Sequence, residues 1–268
     1  MKTNCLDIQS LPIGIFDSGL GGLSIWKEIH ALLPNESTIY LADSKNAPYG
    51  EKTKEKIIEF SKKNTEYLLS KQCKMIVVAC NTATTNAIKI LRETYSVPFI
   101  GIEPAIKPAA LQTKTNKIGV LATKGTLSSE LFANTSEQFR SSKNIIEIEG
   151  NGLVTLIENG EIDATRPLLT QYLSPIVDEG VDYIVLGCTH YPFLIPIIKS
   201  IIPNHIKIID SGEAVAKQTK NILEKNNLIN ESNNNTFQNF ETNGNIETFK
   251  NFLNQINVQG SSVKFNVF

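Results

Sequence analysis

Two cysteines follow short apolar runs, in positions suited to acid–base chemistry. Cys80 comes after the run 75–79, and Cys188 comes after the run 183–187. Ligands of parallel α/β sheets bind at the carboxyl ends of the strands. A helix N-terminus there stabilises a thiolate and lowers the pKa of a thiol from about 8.5. A single free cysteine is more often a packing residue, but two at matching strand ends predict a pair of reactive thiols.

The other two cysteines, Cys5 and Cys73, lack this setting. Cys5 lies in an extension ahead of the first predicted strand, and Cys73 lies in a Lys-Gln-Cys-Lys turn, so we expect both to be structural. No two cysteines have CxxC spacing, which argues against a zinc ribbon or a thioredoxin-type site. The first twelve residues lack the apolar segment of a secretory signal. We therefore expect a cytoplasmic protein with reduced thiols.

Ionisable residues near the cysteines could manage their protons. Asp17 ends the first predicted strand, and His190 follows Cys188 by two residues. Asp17 could instead cap a helix, and His190 could be a packed histidine. A metal is not expected, since the three histidines show no ligand spacing. The glycines at 19, 21 and 22 match neither phosphate-loop pattern, and they favour the approach of backbone amides to a small anion such as a carboxylate.

The elements that must position these residues alternate between apolar strands and helices, which is typical of an α/β fold with mostly parallel sheets. The predicted strands are 13–16, 38–42, 75–79, 99–102, 117–121, 145–148, 183–186 and 207–209. A surface helix is predicted over 52–70, and another near 246–253 with Phe249, Phe252 and Leu253 facing inward. The asparagine-rich stretch from Asn226, including 230–235, is predicted to be a solvated loop.

The chain also repeats its landmarks at long range. Gly14 and Cys80 are 66 positions apart (from 14 to 80), and Gly119 and Cys188 are 69 apart (from 119 to 188). Both glycines lie in strand-like segments that end in a turn of small residues. We therefore predict two doubly wound lobes related by pseudo-symmetry, each offering one cysteine to a cleft between them. The first lobe is predicted to comprise 1–103 plus 213–268, and the second 104–212.

Composition excludes several classes of function. The chain has 268 residues, 41% of them hydrophobic and 20% charged, as in an ordinary globular protein. A formal charge of −1 gives no electrostatic reason to expect nucleic acid or an anionic membrane as a partner. No run approaches the roughly 18 consecutive apolar residues of a membrane span.

Several motifs together resemble one family. They are Gly14-Ile-Phe-Asp-Ser-Gly-Leu-Gly-Gly-Leu-Ser, Tyr40-Leu-Ala-Asp-Ser-Lys-Asn-Ala-Pro-Tyr-Gly-Glu-Lys, Ala79-Cys-Asn-Thr-Ala-Thr, Val97-Pro-Phe-Ile-Gly-Ile-Glu-Pro-Ala and Leu186-Gly-Cys-Thr-His-Tyr-Pro-Phe-Leu. In this order they closely resemble the glutamate racemases, from about residue 12 to 253. The resemblance implies two α/β domains, interconversion of L- and D-glutamate without a cofactor, and supply of D-glutamate to the bacterial cell wall. It is compatible with a homodimer.

The resemblance also implies roles for individual residues. Cys80 and Cys188 would be the two bases, with Cys80 acting on the D enantiomer; Asp17 would support the first thiol and His190 the second. Glu158 would be an auxiliary acid near the second thiol, although Thr155 stands where the family usually has proline and Gly150-Asn151 where Cys-Pro or Ala-Pro is common. The residues implied to hold substrate are Asp17, Ser18, Pro48, Tyr49, Gly50, Asn81, Thr82, Thr123, Thr189 and His190.

Two kinds of alternative remain open at this point. Within the same superfamily, the chain could be an aspartate or hydantoin racemase, or a decarboxylase, which needs only one of the two cysteines. In a different class, it could be a two-lobed protein that binds a small anion without turnover.

Overall fold

The structure is a computed structural model that describes residues 8–232, 236–258 and 263–268. Cys5 and most of the N-terminal extension lie outside these ranges. The strands are β1 (Ile13–Asp17), β2 (Thr38–Ala42), β3 (Met75–Val78), β4 (Phe99–Gly101), β5 (Lys117–Ala122), β6 (Asn144–Glu149), β7 (Tyr183–Gly187), β8 (Lys207–Ile209), β9 (Gln238–Thr242) and β10 (Val263–Phe265). The eight predicted strands are confirmed to within one residue at each end.

Helices connect and cover the strands. They are α1 (Leu23–Leu32), α2 (Lys54–Ser70), α3 (Asn81–Thr94), α4 (Ile106–Gln112), α5 (Lys124–Leu127), α6 (Glu130–Arg140), α7 (Leu153–Glu158), α8 (Arg166–Asp178), α9 (Ile195–Ile201), α10 (Gly212–Lys225) and α11 (Ile246–Gln255). The predicted surface helix is α2. Its N-cap is Thr53, whose side chain accepts a hydrogen bond from the Lys56 amide. In α11 the three predicted inward residues are buried. Across the described ranges, no helix combines the length and apolarity needed to cross a membrane.

The strands form two sheets, and every strand pair in them is parallel. The first lobe contains the sheet β10-β9-β2-β1-β3-β4, and the second lobe contains the sheet β6-β5-β7-β8. Each residue of β1, β2, β3 and β7 is buried, as expected for parallel strands with both faces covered. The predicted α/β class is therefore confirmed, while the predicted lobe boundaries stay a prediction.

The two sheets share one strand order, which confirms the predicted pseudo-symmetry. The order β2-β1-β3-β4 in the first lobe corresponds to β6-β5-β7-β8 in the second. Gly14 pairs with Ile76, and Gly119 pairs with Ile184. Each cysteine follows its paired isoleucine by four residues. The two thiols thus occupy equivalent strand ends.

The C-terminal region corrects two expectations. Strands β9 and β10 were not predicted; β9 lies beside β2, with Phe240 opposite Tyr40 and packed against Trp26. The prediction of a solvated loop is wrong at Asn230. This residue is buried, and its backbone N–H donates to the Glu36 carboxylate at 2.8 Å. Since Glu36 also pairs with buried Lys74 at 2.6 Å, this asparagine completes a buried polar cluster. Leu228 is also buried, whereas Asn226, Asn227, Glu231 and Ser232 are exposed as predicted, and 233–235 lie outside the described residues.

Candidate active site

A narrow cavity lies between the lobes, at the carboxyl ends of the central strands of both sheets. Its lining residues are Ser18, Pro48, Tyr49, Gly50, Cys80, Asn81, Thr82, Thr123, Val154, Cys188, Thr189 and His190. Both predicted thiols line it, as do all the residues predicted to hold substrate except Asp17. Val154 was not predicted, because an apolar residue at the start of a helix carries no chemical signal. The water-accessible volume is about 10 Å³, roughly the space that one water molecule needs.

Cys80 is held by a backbone amide and a hydroxyl. It caps α3, and its Sγ accepts a hydrogen bond from the Ala83 amide at 3.4 Å. The thiol also lies 3.6 Å from the Ser18 hydroxyl. Burial and the negative charge of Asp17 nevertheless raise the pKa of this thiol well above its usual value. The Ala83 amide at the helix N-terminus lowers the pKa of Cys80, as predicted, but desolvation of the buried thiolate outweighs that one amide, so the net shift is upward.

Asp17 serves the loop ahead of α1 and also faces the second lobe. Its Oδ2 accepts bonds from the amides of Gly19 and Gly22 at 3.1 and 3.0 Å. The N-cap of α1 is Gly22, without a side-chain cap bond, so Asp17 fixes this loop and the alternative that it caps a helix is wrong. Its Oδ1 accepts a bond from the Thr189 hydroxyl at 3.4 Å. Burial raises the pKa of Asp17 to about 6, although His190 and the two amides oppose that rise. Asp17 lies behind the cavity wall rather than in it.

Cys188 lies beside a histidine that is bonded to a carboxylate. The Cys188 Sγ is 3.7 Å from Nδ1 of His190, and His190 Nε2 is 2.5 Å from Oε1 of Glu158. Burial alone would lower the pKa of His190, but its bonds to Cys188 and Glu158 raise it well above the usual value. The Gly21 amide also lies 3.2 Å from Nε2. We assign the Nε2 hydrogen to the shorter bond, the one to the Glu158 carboxylate. Nδ1 is then the ring nitrogen that faces the Cys188 sulfur.

The glycine loop 19–22 approaches the protein's own Glu158 carboxylate, while the predicted approach to a small anionic ligand stays a prediction. The Leu20 amide donates to Glu158 Oε1 at 2.5 Å, and the Ser44 hydroxyl reaches Oε2 at 3.4 Å. A Cβ on Gly19 would lie 2.1 Å from the same carboxylate oxygen, so only glycine allows this approach. Glu158 thus contacts His190 and the first lobe and does not line the cavity.

Hydroxyl groups join the lobes on the other side of the cavity. The Thr82 hydroxyl lies 2.9 Å from that of Thr123 and 3.3 Å from that of Thr126. The Asn86 amide donates across the lobes to the Gly125 carbonyl at 3.2 Å. Thr126 was not predicted, although its position three residues after the cap Thr123 is a signal that could have identified it.

Asn81 presents an unsatisfied amide. Its side chain is buried, and among the described residues neither its nitrogen nor its oxygen has a hydrogen-bond partner. A buried polar group without a partner costs about 1–3 kcal/mol. Asn81 also lines the cavity and follows Cys80 directly in the chain, so an unpaired amide and a thiol share the same space.

Several known proteins are similar to this chain in sequence and in fold. Residues 13–219 match the family model described as Asp/Glu/hydantoin racemase. A glutamate racemase of Ectopseudomonas mendocina is 49% identical over 221 residues, which cover 81% of this chain and 84% of that one. A Francisella tularensis glutamate racemase in complex with D-glutamate has a TM-score of 0.83 and 28% identity, covering 97% of this chain and 98% of that one. For an Escherichia coli glutamate racemase with L-glutamate and the activator UDP-MurNAc-ala, the TM-score is 0.82 at 31% identity, with coverage of 95% and 97%.

Proposed function

Because the chain belongs to the Asp/Glu/hydantoin racemase family and, within it, to the glutamate racemases, we propose that it interconverts L- and D-glutamate by two-thiol proton transfer. The observation that carries this mechanism is the pair Cys80 and Cys188, which line one cavity from equivalent ends of two pseudo-symmetric sheets. Two acid–base groups on opposite faces of a carbon are the minimum needed to invert it in both directions without turning the substrate over.

In the proposed reaction, one cysteine as thiolate removes the Cα proton of glutamate. The opposite cysteine, as thiol, donates its proton to the other face of the same carbon, and the electron pair of the broken C–H bond forms the new one. The reaction ends with the protonation states of the two sulfurs exchanged. No step requires an oxidant or a cofactor, and the reverse direction uses the same groups in opposite roles.

We propose that each sulfur has its own neighbouring residue that influences its protonation. Asp17, whose charge is felt at Cys80, would serve the first thiol. His190 would serve the second, since a protonated imidazole stabilises a nearby thiolate. Glu158 would act through His190 by holding it in the protonated form. This assignment makes Glu158 a positioning residue, and not an acid that meets the substrate.

The weak acidity of the Cα–H bond demands stabilisation from the cavity itself. We propose that the free amide of Asn81 and the hydroxyls of Ser18, Thr82, Thr123 and Thr189 hold the ammonium and carboxylate groups of glutamate. Aimed polar groups in a site without bulk water are a large source of catalysis. The cavity is narrow, and we propose that the lobes part to admit glutamate and close for reaction.

The product would be used in the cell wall. D-glutamate is a component of bacterial peptidoglycan, and the E. coli relative is described with an activator that carries a muramyl-alanine group. We propose that this chain supplies D-glutamate for the same purpose in the cytoplasm, where its thiols stay reduced.

The test follows both enantiomers in D2O. Incubation with L-glutamate, and separately with D-glutamate, should give Cα deuterium uptake and loss of optical rotation at the same time. Exchange with neither enantiomer would refute the racemase function and favour a binding protein. Turnover of aspartate or a hydantoin in preference to glutamate would move the chain to another branch of the family. Loss of CO2, followed by protonation of one face only, would indicate a decarboxylase.

A further inference from the structure

The hydroxyl of Tyr49 is engaged behind the cavity wall. Tyr49 lines the cavity and is 1% exposed, yet its hydroxyl donates to Oδ2 of Asp43 and accepts a bond from Nδ2 of Asn64 at 3.1 Å. A phenol has a single proton to donate, and here Asp43 receives it. Tyr49 therefore contributes its ring and backbone to the cavity, and its polar end anchors it to the first lobe.

The groups behind Tyr49 form a closed polar cluster. Asp43 is 2% exposed and Asn64 is 1% exposed. The other oxygen of Asp43 accepts bonds from the side-chain amides of Asn46, at 2.8 Å, and Asn243. Helix α2 supplies both Asn64 and, one turn earlier, Phe60, whose ring lies 5.5 Å from the Tyr49 ring. One face of α2 thus fixes the orientation of Tyr49 by a hydrogen bond and by ring packing.

The segment anchored in this way also meets the other lobe. Gly50 follows Tyr49 directly, and a Cβ on Gly50 would lie 2.9 Å from the Thr123 side chain. Pro48, on the other side of Tyr49, lines the cavity as well. Because protein interiors are close-packed, a shift of Tyr49 would move both the cavity wall and the contact between the lobes.

We propose that Asn64 is a positioning residue of the active site, which together with Asp43 holds the Tyr49 hydroxyl and so fixes the 48–50 segment in the closed cavity. The proposal rests on the proposed function for its effect on turnover. It assigns no contact between Asn64 and substrate. Misplacement of a cavity wall lowers kcat more than it raises KM, since the reacting geometry depends on placement.

A double-mutant cycle tests this role. We expect kcat for glutamate racemisation to fall about 5-fold in N64A and about 10-fold in Y49F, the range expected for loss of one buried hydrogen bond. KM should change less than kcat in both variants. If Asn64 acts through the Tyr49 hydroxyl, N64A/Y49F should be about as active as Y49F alone. Losses that multiply to about 50-fold would show independent effects and would overturn the proposal.

The matched control is S61A. Ser61 is buried on the same helix, but its hydroxyl bonds the Ile57 carbonyl at 2.7 Å within α2, so S61A should keep wild-type kcat. If N64A does not fold, N64L keeps a side chain of similar size and removes the donor without adding a charge. The same loss of kcat is expected there, and wild-type turnover of N64L would equally overturn the proposal.

Hydrogen exchange gives a readout that needs no substrate. The amides of residues 49–51 should exchange faster in N64A and in Y49F than in the wild type, and should be unchanged in S61A. Unchanged exchange in N64A overturns the positioning role whether or not the protein racemises glutamate. A wild-type protein without turnover, but with this exchange pattern, would overturn only the proposed function.

Discussion

The two halves of the cavity have the same scaffold and different chemistry. In the first lobe, β3 leads directly into the 14-residue helix α3, and Cys80 receives its amide bond from that helix. In the second lobe, β7 leads into a turn and the short 3₁₀ helix Tyr191–Leu194, and Cys188 meets the His190 ring. The partners of the Cys80 sulfur are therefore a backbone amide and a hydroxyl, and the partner of the Cys188 sulfur is a titratable side chain.

This difference separates the positions of the two sulfurs, which the fold determines, from the charges beside them. Strand order and register place the sulfurs at equivalent points. The charge beside each sulfur comes from a different place: Asp17, at the end of β1, disfavours the Cys80 thiolate, whereas His190, two residues after Cys188, has a pKa raised by its bonds to Cys188 and Glu158. A racemase must reach both faces of the reacting carbon equally. The two sulfurs occupy equivalent positions, although the groups that influence their protonation differ.

The strongest test of positional equivalence removes each sulfur in turn. We expect C80A and C188A each to lower kcat/KM for glutamate by roughly 10²–10⁴-fold or more, the loss of a general acid–base group. The loss must be equal in both directions, because the two enantiomers have equal free energy in water. Initial rates from L- and from D-glutamate, followed by circular dichroism, measure it.

The control for these variants is C73A. Cys73 is buried against Gly14 and away from the cavity, and its high thiol pKa, about 12, results from burial first and from the charge of Glu241 second. We expect C73A to keep near-wild-type turnover. If C80A or C188A behaved like C73A, the two-thiol mechanism would be wrong.

The second test concerns the titratable half. H190N should lower kcat by about 10²-fold, whereas E158Q should lower it by about 10-fold, since Glu158 acts through His190. The bond to Glu158 raises the pKa of His190, so E158Q should let the imidazolium lose its proton at lower pH. The alkaline limb of the pH–rate profile should then move to lower pH.

A larger loss in E158Q than in H190N would contradict this order, because it would give Glu158 a role of its own. An alkaline limb that stays in place would show that Glu158 does not hold the proton on His190.

How far the sequence predicts this asymmetry depends on the range of the interactions. The eight strands and the paired cysteines follow local patterns of apolar runs and turns, which the sequence displays directly, whereas most cavity residues were implied by the family resemblance of the motifs that contain them. The bond between Leu20 and Glu158 joins residues 138 positions apart, and no local pattern encodes it. The upward shift of the Cys80 pKa was missed for a related reason, since its causes are burial and the charge of Asp17, which is 63 positions away in the chain (from 17 to 80).

Strand β9 escaped prediction because its stability comes from distant partners. In β9, Phe240 is the single large apolar residue, and the polar side chains beside it are bonded to residues about 200 positions away, such as Gln238 to Thr38. Tyr67 in α2 binds Glu241 in the same way at 2.5 Å. A strand whose polar residues are satisfied by tertiary contacts resembles a loop in sequence.

The third test concerns the Cys80 half and the sign of its electrostatics. Asp17 ionises near pH 6, and above that pH its charge disfavours the Cys80 thiolate. D17N removes the charge, so the pKa of Cys80 should fall and the pH midpoint of its alkylation by iodoacetamide should move lower. S18A removes a contact that favours the thiolate, so its midpoint should move higher. Mass spectrometry of the Cys80 peptide measures both, and shifts of the same sign would refute this account.

The smallest expected effect tests whether the first lobe also positions the Cys188 half. The Ser24 hydroxyl in α1 donates to the Thr189 carbonyl at 2.9 Å, across the lobes and between Cys188 and His190 in the chain. S24A should cost about 1 kcal/mol, which corresponds to about a 5-fold loss of kcat/KM. S174A, which removes a bond inside α8 at the surface, should change nothing. If S24A matched S174A, the bond between Glu158 and His190 would be sufficient to hold the 188–190 segment. The second lobe would then orient its own sulfur, as α3 does for Cys80, and the two halves would differ in charge alone.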